Sequence, residues 1–483
     1  MTRHTICKRT SANHIHGKPI TNPRSKIKLE DLPLDVLCTI VSKLSPKEAS
    51  RANILSSNWR YICATGCYKL CFTVPAGYPH HILERREYCQ RMQEFINNVN
   101  AVVRNCHDKL VEEFNIKLQF DSMFVDHLND WVSFAASAQI RKIAFYLYPD
   151  NLSLWDPGRY KFPFHLLDSE SISRLECIQL SFVSLRPPLE FSGFPSLRKL
   201  DLEFVDITRT DLEVILSNCC YLKWLSLVRC TVKDELKWDR PLSNLRHLAV
   251  VWCDITRIDL PILKLDTFVY HGDFVPIVIN RDFMLENAQL WLFKANFDGA
   301  VSAVLNSIPM VQNLTLQILK AGIETQSLLN STCMFSHLRC LQLLLGITLV
   351  DINKLPRLVS ILRAAPSIEK LEIHFTAGGS HLCEAHKGTA DKPQYLQHCE
   401  YNYLKSVHMT GYKGARGQLE FLVHVVEKAP ALEALTVDTA LQVHDVDYVR
   451  HFCRKNECSK RAALHARSCL GAILSPNVKL CVM

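Results

Sequence analysis

His381, Cys383, His386, His398 and Cys399 stand within a short span that opens Gly378-Gly379-Ser380. Imidazole and thiolate are zinc donors, and four of the five could complete a tetrahedral site. Their spacing fits no standard zinc finger, and the leading glycines read as a flexible loop. No metal is expected there. Cys453 and Cys458, near His451 and His465, form a looser set that leads to the same expectation. The chain has 16 glycines and no GxxxxGK run, so the sequence offers no phosphate-cradling loop. Histidines and aspartates abound, yet none sits in a recognisable nucleophile motif. The expectation is a chain with no catalytic residues, no metal and no cofactor. The chemistry left is recognition.

Recognition needs side chains held on a rigid frame, and from residue 140 the chain supplies one by repeating itself. The unit is an apolar residue, two others, an apolar residue, one other, an apolar residue. Copies run from Ile140/Ile143/Phe145 through Leu175/Ile178/Leu180, Leu197/Leu200/Leu202, Leu222/Leu225/Leu227 and Leu245/Leu248/Val250. Later copies begin at Leu265, Val311, Leu338, Ile368, Leu404 and Leu432, with a degenerate one at Leu290 and Leu292. From Leu175 to Leu245 the copies start 22, 25 and 23 residues apart, the leucine-rich-repeat period.

Two further signals support the repeat. Cys230-Thr231-Val232 and Cys253-Asp254-Ile255 stand where a small residue and a following apolar one should turn the chain into the core. Four gapless segments, starting at Leu212, Val301, Leu358 and Leu422, read as an amphipathic helix feeding a strand. Pro309, Pro366 and Pro430 stop three of those helices.

No such unit can bury its apolar face alone, so the copies must stack into a curved array of ten to twelve turns. Residues alternating with the buried leucines point into the concavity. Lys199, Asp201, Glu203, Trp224 and His247 are the candidate target-binding residues, with Asn313, Thr315 and Gln317 further along the row. Mixed charge suits a protein or peptide better than a polyanion. The bland alternative for each residue is a solvated sheet face. Trp224 stands out because an exposed tryptophan often anchors an interface. A helix is expected from His81 to Val103 and a half-buried strand from Phe114 to Phe120.

Of the net charge of +8, seven come from Arg3, Lys8, Arg9, Lys18, Arg24, Lys26 and Lys28, in a stretch without acids. The remainder is nearly neutral, which argues against a broad nucleic-acid surface. There is no run of 18 apolar residues, and no membrane contact is expected. The 20 cysteines show no framework spacing and read as reduced thiols in a cytoplasmic or nuclear protein.

Leu29 to Cys63 has a different pattern. Leu34, Leu37, Val41 and Leu44 recur at helical spacing. Ser45-Pro46-Lys47-Glu48 is a capping box that starts a second helix, and Trp59 and Ile62 belong to a third. About 35 residues cannot build a self-sufficient core, which points to a docking module.

Leu32-Pro33-x-Asp35-x-Leu37-x-x-Ile40, Leu44-Ser45, Glu48-Ala49 and Leu55-Ser56-x-x-Trp59-Arg60 resemble the plant-type F-box. The resemblance implies docking to a Skp-family adaptor and, through it, a cullin. Leu32 and Pro33 would lie in the adaptor groove. Ile40, Leu44, Leu55 and Trp59 would supply apolar contacts or hold three helices together. Near the other end, Thr410-Gly411-Tyr412-Lys413-Gly414 and Glu427-Lys428-Ala429-Pro430-x-Leu432-Glu433-x-Leu435 look like the FBD domain.

The expected fold is α/β. A three-helix F-box leads into a curved solenoid of parallel strands and helices, closed by an FBD unit. The expected divisions are a basic tail (1–28), the F-box (29–68), a connecting segment with degenerate first repeats (69–139), leucine-rich repeats (140–398) and the FBD domain with a cap (399–483). Together these imply a non-catalytic substrate-recognition subunit of an SCF-type (Skp–cullin–F-box) ubiquitin ligase. The alternatives are a non-degradative scaffold, a small-molecule-sensing F-box receptor and a nucleic-acid binder using residues 1–28.

Overall fold

The computed structural model describes residues 32, 36, 37, 40 and 51, then 69–74, 85–104, 106, 111–149, 158–237 and 242–260. It continues with 264–279, 284–319, 334–347, 352–375, 400–440 and 457–483. The chain divides into two compact units, Met1–Cys67 and Tyr68–Met483.

In the first unit Val36, Leu37 and Ile40 are helical. Leu37 is buried, Leu32 and Ile40 are half-buried, and Val36 is exposed. Leu34, Val41 and Leu44, the rest of the expected stripe, lie outside the described residues. Pro33, Leu44, Leu55, Trp59 and the basic tail lie outside the described residues. So do His381, Cys383, His386, His398, Cys399, His451 and Cys453.

The second unit is built on strands. In chain order they are β1 (Lys69–Thr73), β2 (Glu113–Phe120), β3 (Lys142–Pro149), β4 (Tyr160–Lys161), β5 (Cys177–Ser181), β6 (Val183–Ser184) and β7 (Lys199–Glu203). Next come β8 (Trp224–Val228), β9 (Glu235–Lys237), β10 (His247–Val251), β11 (Arg257–Leu260), β12 (Thr267–Asp273), β13 (Ile277–Ile279) and β14 (Leu285–Phe293). The last six are β15 (Val311–Ile318), β16 (Cys340–Leu345), β17 (Lys370–Phe375), β18 (Ser406–Thr410), β19 (Ala434–Asp438) and β20 (Lys479–Val482).

Fifteen of these strands form one sheet in the order β1-β2-β3-β5-β7-β8-β10-β12-β14-β15-β16-β17-β18-β19-β20. Neighbours pair in parallel and in register, so Leu200, Leu225, Leu248 and Phe268 form one row and Leu202, Leu227, Val250 and Tyr270 the next. Both rows are fully buried. Each such leucine contributes about 2 kcal/mol by leaving water. All twelve sequence copies are strands, including the degenerate one, which is β14. The expected ten to twelve turns fall short of fifteen because the ladder already begins at β1 and β2 and ends at β20.

Return segments cover the core face. Helices α1 (Arg85–Arg104) and α2 (Val125–Ser137) lie at the start of the sheet, where buried Trp131 donates Nε1–H to Asn100 Oδ1 at 2.8 Å. Then come α3 (Ser169–Arg174), α4 (Arg209–Leu216), α5 (Phe297–Ser307), α6 (Val359–Arg363), α7 (Arg416–Lys428) and α8 (Glu457–Gly471). The helices ahead of Pro309, Pro366 and Pro430 end at Ser307, Arg363 and Lys428, as the prolines require. Helix α8 has no counterpart in the sequence reading. There Arg467 donates to Val482 O at 2.9 Å, tying it to the last strand. His465, placed above among possible zinc donors, instead meets Tyr412 Oη at 3.3 Å.

Candidate functional site

The strands alternate, so each presents a second set of side chains to the face opposite the core. The five residues put forward for target binding fall on this open face. Lys199, Trp224 and His247 are cross-strand neighbours on β7, β8 and β10. Their groups stack in order: Lys199 Nζ lies 5.0 Å from the Trp224 ring centroid, and the indole lies 3.5 Å from the His247 ring at 10°. A cation over an indole face is held by the ring quadrupole.

Asp201 and Glu203 follow on β7. Asp201 lies 3.6 Å from Lys199 and accepts from Gln179 Nε2 at 3.2 Å. Glu203 is half-buried, and burial followed by the Asp201 charge pushes its carboxyl above the usual range, with Arg229 and Lys117 opposing. All five target-binding candidates therefore share one patch.

Three further groups extend it. His271 on β12 and Trp291 on β14 are register partners, stacked at 4.2 Å and 7°. Trp252 and Phe293 meet at 4.5 Å. Gln317 on β15, register partner of Trp291, is 6 % exposed, and its Oε1 has no hydrogen-bond partner. Gln317 was legible from the alternation. The histidine and tryptophans were not, because they lie beyond the short leucine signature or between the degenerate pair Leu290 and Leu292.

The lip of the patch has its own geometry. Phe182, Phe204, Arg229 and Trp252 follow β5, β7, β8 and β10 with φ of 59, 53, 52 and 57°. In each case the N–H continues the ladder, as from Arg229 to Val251 O at 2.7 Å and from Trp252 to His271 O. The left-handed residue then turns the chain inward. Cys230 and Cys253 enter the core and donate Sγ–H to Leu202 O at 3.4 Å and Leu227 O at 3.5 Å. Val183 and Val205 fill the same place in the two preceding turns and are fully buried. Left-handed backbone at a non-glycine residue costs on the order of 1 kcal/mol. Here it sets an aromatic or cationic group beside the open face at each turn, with Arg229 5.2 Å over the Phe204 ring.

Among the described residues no group of three or more His, Cys, Asp and Glu side chains is placed to hold a metal ion. No helix among them is long and apolar enough to cross a membrane. What the face offers is planar surface, a few charges at one side and unpaired hydrogen-bonding atoms. That is a surface for non-covalent contact.

Comparison with known proteins is consistent with this. The model of the At1g61320/AtMIF1 leucine-rich-repeat domain matches residues 102–478, well over half of the chain. The chain belongs to the At1g61320/AtMIF1 leucine-rich-repeat family. The F-box domain model matches residues 29–69. Among curated relatives, the Arabidopsis thaliana F-box/FBD/LRR-repeat protein At1g13570 is 23% identical over 90% of this chain and 97% of its own length. The Arabidopsis F-box/LRR-repeat protein At3g58980 is 24% identical over 84% of this chain and 69% of its own. The Arabidopsis F-box/FBD/LRR-repeat protein At4g26340 is 23% identical over 84% and 91%. This family member is thus an F-box protein with a leucine-rich-repeat domain built for protein interaction.

One property of the face can be read by titration. Burial pushes the His271 imidazole down to about 4 from an ordinary value near 6.5. Between those values the unfolded chain binds a proton that the folded chain does not, so stability falls as pH drops through that window. His271→Phe keeps the stack and removes the proton. Comparing urea midpoints at pH 7 and pH 5, wild type is expected to lose more than the variant.

Proposed function

We propose that this protein is the substrate-recognition subunit of an SCF-type ubiquitin ligase. The observation that carries the reading is one chain holding an F-box match at residues 29–69 and a repeat sheet with an aromatic open face. The F-box docks a Skp-family adaptor and through it a cullin; Leu32 and Pro33 enter the adaptor groove. Ile40, Leu44, Leu55 and Trp59 add apolar contacts or hold the three helices. A target protein sits on the open face against Lys199, Asp201, Glu203, Trp224 and His247. Its lysines are thereby held near the conjugating enzyme, and the rate gain comes from proximity supplied in trans, not from residues of this chain. Neither nucleic acid nor membrane is a partner.

The remaining divisions follow the same reading. Residues 1–28 are a basic tail, 29–68 the F-box, 69–139 the entry to the repeats and 140–398 the repeats proper. Residues 399–483 are an FBD domain that closes the array. Supporting it, β18, Gly411 and Gly414 at φ of 74 and 75°, α7 and β19 follow in the expected order. An open solenoid end would otherwise expose apolar core.

The test is co-purification of the full chain with a plant Skp-family adaptor. Wild type is expected to hold the adaptor, and Leu32→Ala/Pro33→Ala to lose it. A folded wild type that holds no adaptor would refute the proposal. Adaptor binding without ubiquitin transfer to any bound protein would mark a non-degradative scaffold.

A further inference from the structure

Six consecutive sheet strands, β8, β10, β12, β14, β15 and β16, carry no charged residue at the inner positions of the open face. Strand spacing near 4.8 Å makes this strip about 24 Å long, the reach of about seven extended residues. A drug-sized molecule would cover only part of it. Charge resumes at both ends in paired form: Lys199 with Asp201 on β7, and Lys370 with Glu372 at 2.6 Å on β17. At the lip, Lys294 pairs with Asp273 and Arg229 lies over Phe204.

The floor of the strip is small on β8, β10 and β12 and uncharged but polar beyond, where Gln289, Thr315 and Gln342 continue the row. Ser226 and Ala249 are each 7% exposed, and Val269 continues their row. On one side stands the Trp224–His247 stack and on the other the His271–Trp291 stack. Within the strip two polar atoms are buried and unpartnered, His271 Nε2 on β12 and Gln317 Oε1 on β15. Polar side chains of the other rows satisfy one another, Asn313 with Asn287 at 3.1 Å and Thr315 with Gln342 at 3.1 Å, so the two orphans belong to the row that runs from His271 through Trp291 to Gln317. A buried amide oxygen without a donor is unfavourable until something supplies one.

We propose that this strip seats an extended peptide segment of the target, about seven residues long. The segment carries no charged side chain over that length and has an aromatic or aliphatic side chain between the two ring stacks. It donates an N–H to Gln317 Oε1. A lysine or glutamate in its centre would lose water and find no counter-charge. This rests on the reading of the open face as the target-binding surface.

The experiment uses the full chain and fluorescein-labelled heptapeptide pools. One pool is random among uncharged residues; the others fix Lys or Glu at a single position. Anisotropy reads the affinity. The uncharged pool is expected to bind, and a central Lys or Glu to weaken binding at least tenfold. Gln317→Leu, which removes the orphan without opening a cavity, and Trp291→Ala are each expected to weaken it about tenfold. Circular dichroism establishes that both variants fold.

Equal binding of charged and uncharged pools, or none by any pool, would overturn the inference. So would an undiminished Gln317→Leu. If binding tolerates charge but still falls with Trp224→Ala, the open-face reading stands and only the peptide chemistry fails. If binding ignores both Trp224→Ala and Trp291→Ala, the open-face reading fails with it.

Discussion

Leu225→Ala is expected to lower the stability of the repeat unit by about 4 kcal/mol. Leu225 is fully buried and lies between Leu200 and Leu248 in the ladder, with Leu227 beside it on its own strand. The cavity has rigid walls, since each neighbour is fixed by parallel pairing on both sides, so collapse cannot refill it. In a stacked array stability is the sum of unit terms and nearest-neighbour terms. Weakening the middle of a row should therefore also loosen the coupling between the turns before and after β8. The expected urea transition moves to lower concentration and broadens or splits. Leu189→Ala is the matched control. Leu189 is fully exposed, and its loss should change stability by less than about 0.5 kcal/mol.

Gly417→Ala is the second large effect, and it acts by crowding. Gly417 lies in the first turn of α7, where an added Cβ would collide with the backbone of Ile352 and sit 2.7 Å from Asn353 Cα. Backbone cannot move aside as a side-chain tip can. The helix must shift, and it is anchored next door. Gln418 is fully buried, accepts from Lys413 N at 2.9 Å and donates to Gly411 O at 3.1 Å. The expected cost is about 3 kcal/mol, at the upper end for overpacking. Gly471→Ala, at the end of α8 with nothing within 4 Å, should be neutral or slightly stabilising. Thermal unfolding of the two variants side by side separates crowding from the general effect of replacing glycine.

Most of the repeat unit was legible because its signal is redundant. Leu200, Leu225 and Leu248 occupy the same place in successive units, and each also needs its neighbours buried. β1 was missed because Lys69–Thr73 offers one buried leucine, Leu70, and stands far from any second copy. α8 was missed because Glu457–Gly471 buries mainly Ala462, Ala466 and Leu470, too few large residues to show a stripe. The first part of the site followed from alternation alone. Stacking of Trp224 on His247 did not, because ring geometry depends on a cross-strand register that only pairing fixes. Trp252 was hidden for another reason. It lies after its strand, and a left-handed backbone turn brings it to the face.

The central claim is that one chain docks an adaptor at its F-box and a target on its repeats, by separable surfaces. The direct measurement is the set of proteins co-precipitated from plant cells by three forms of the full chain: wild type, Leu32→Ala/Pro33→Ala, and Trp224→Ala/Trp291→Ala. The account predicts that the first double variant loses the Skp-family adaptor and keeps the target, which then accumulates. The second should keep the adaptor and lose the target. An adaptor retained by the first variant, or a protein set unchanged in the second, would contradict it.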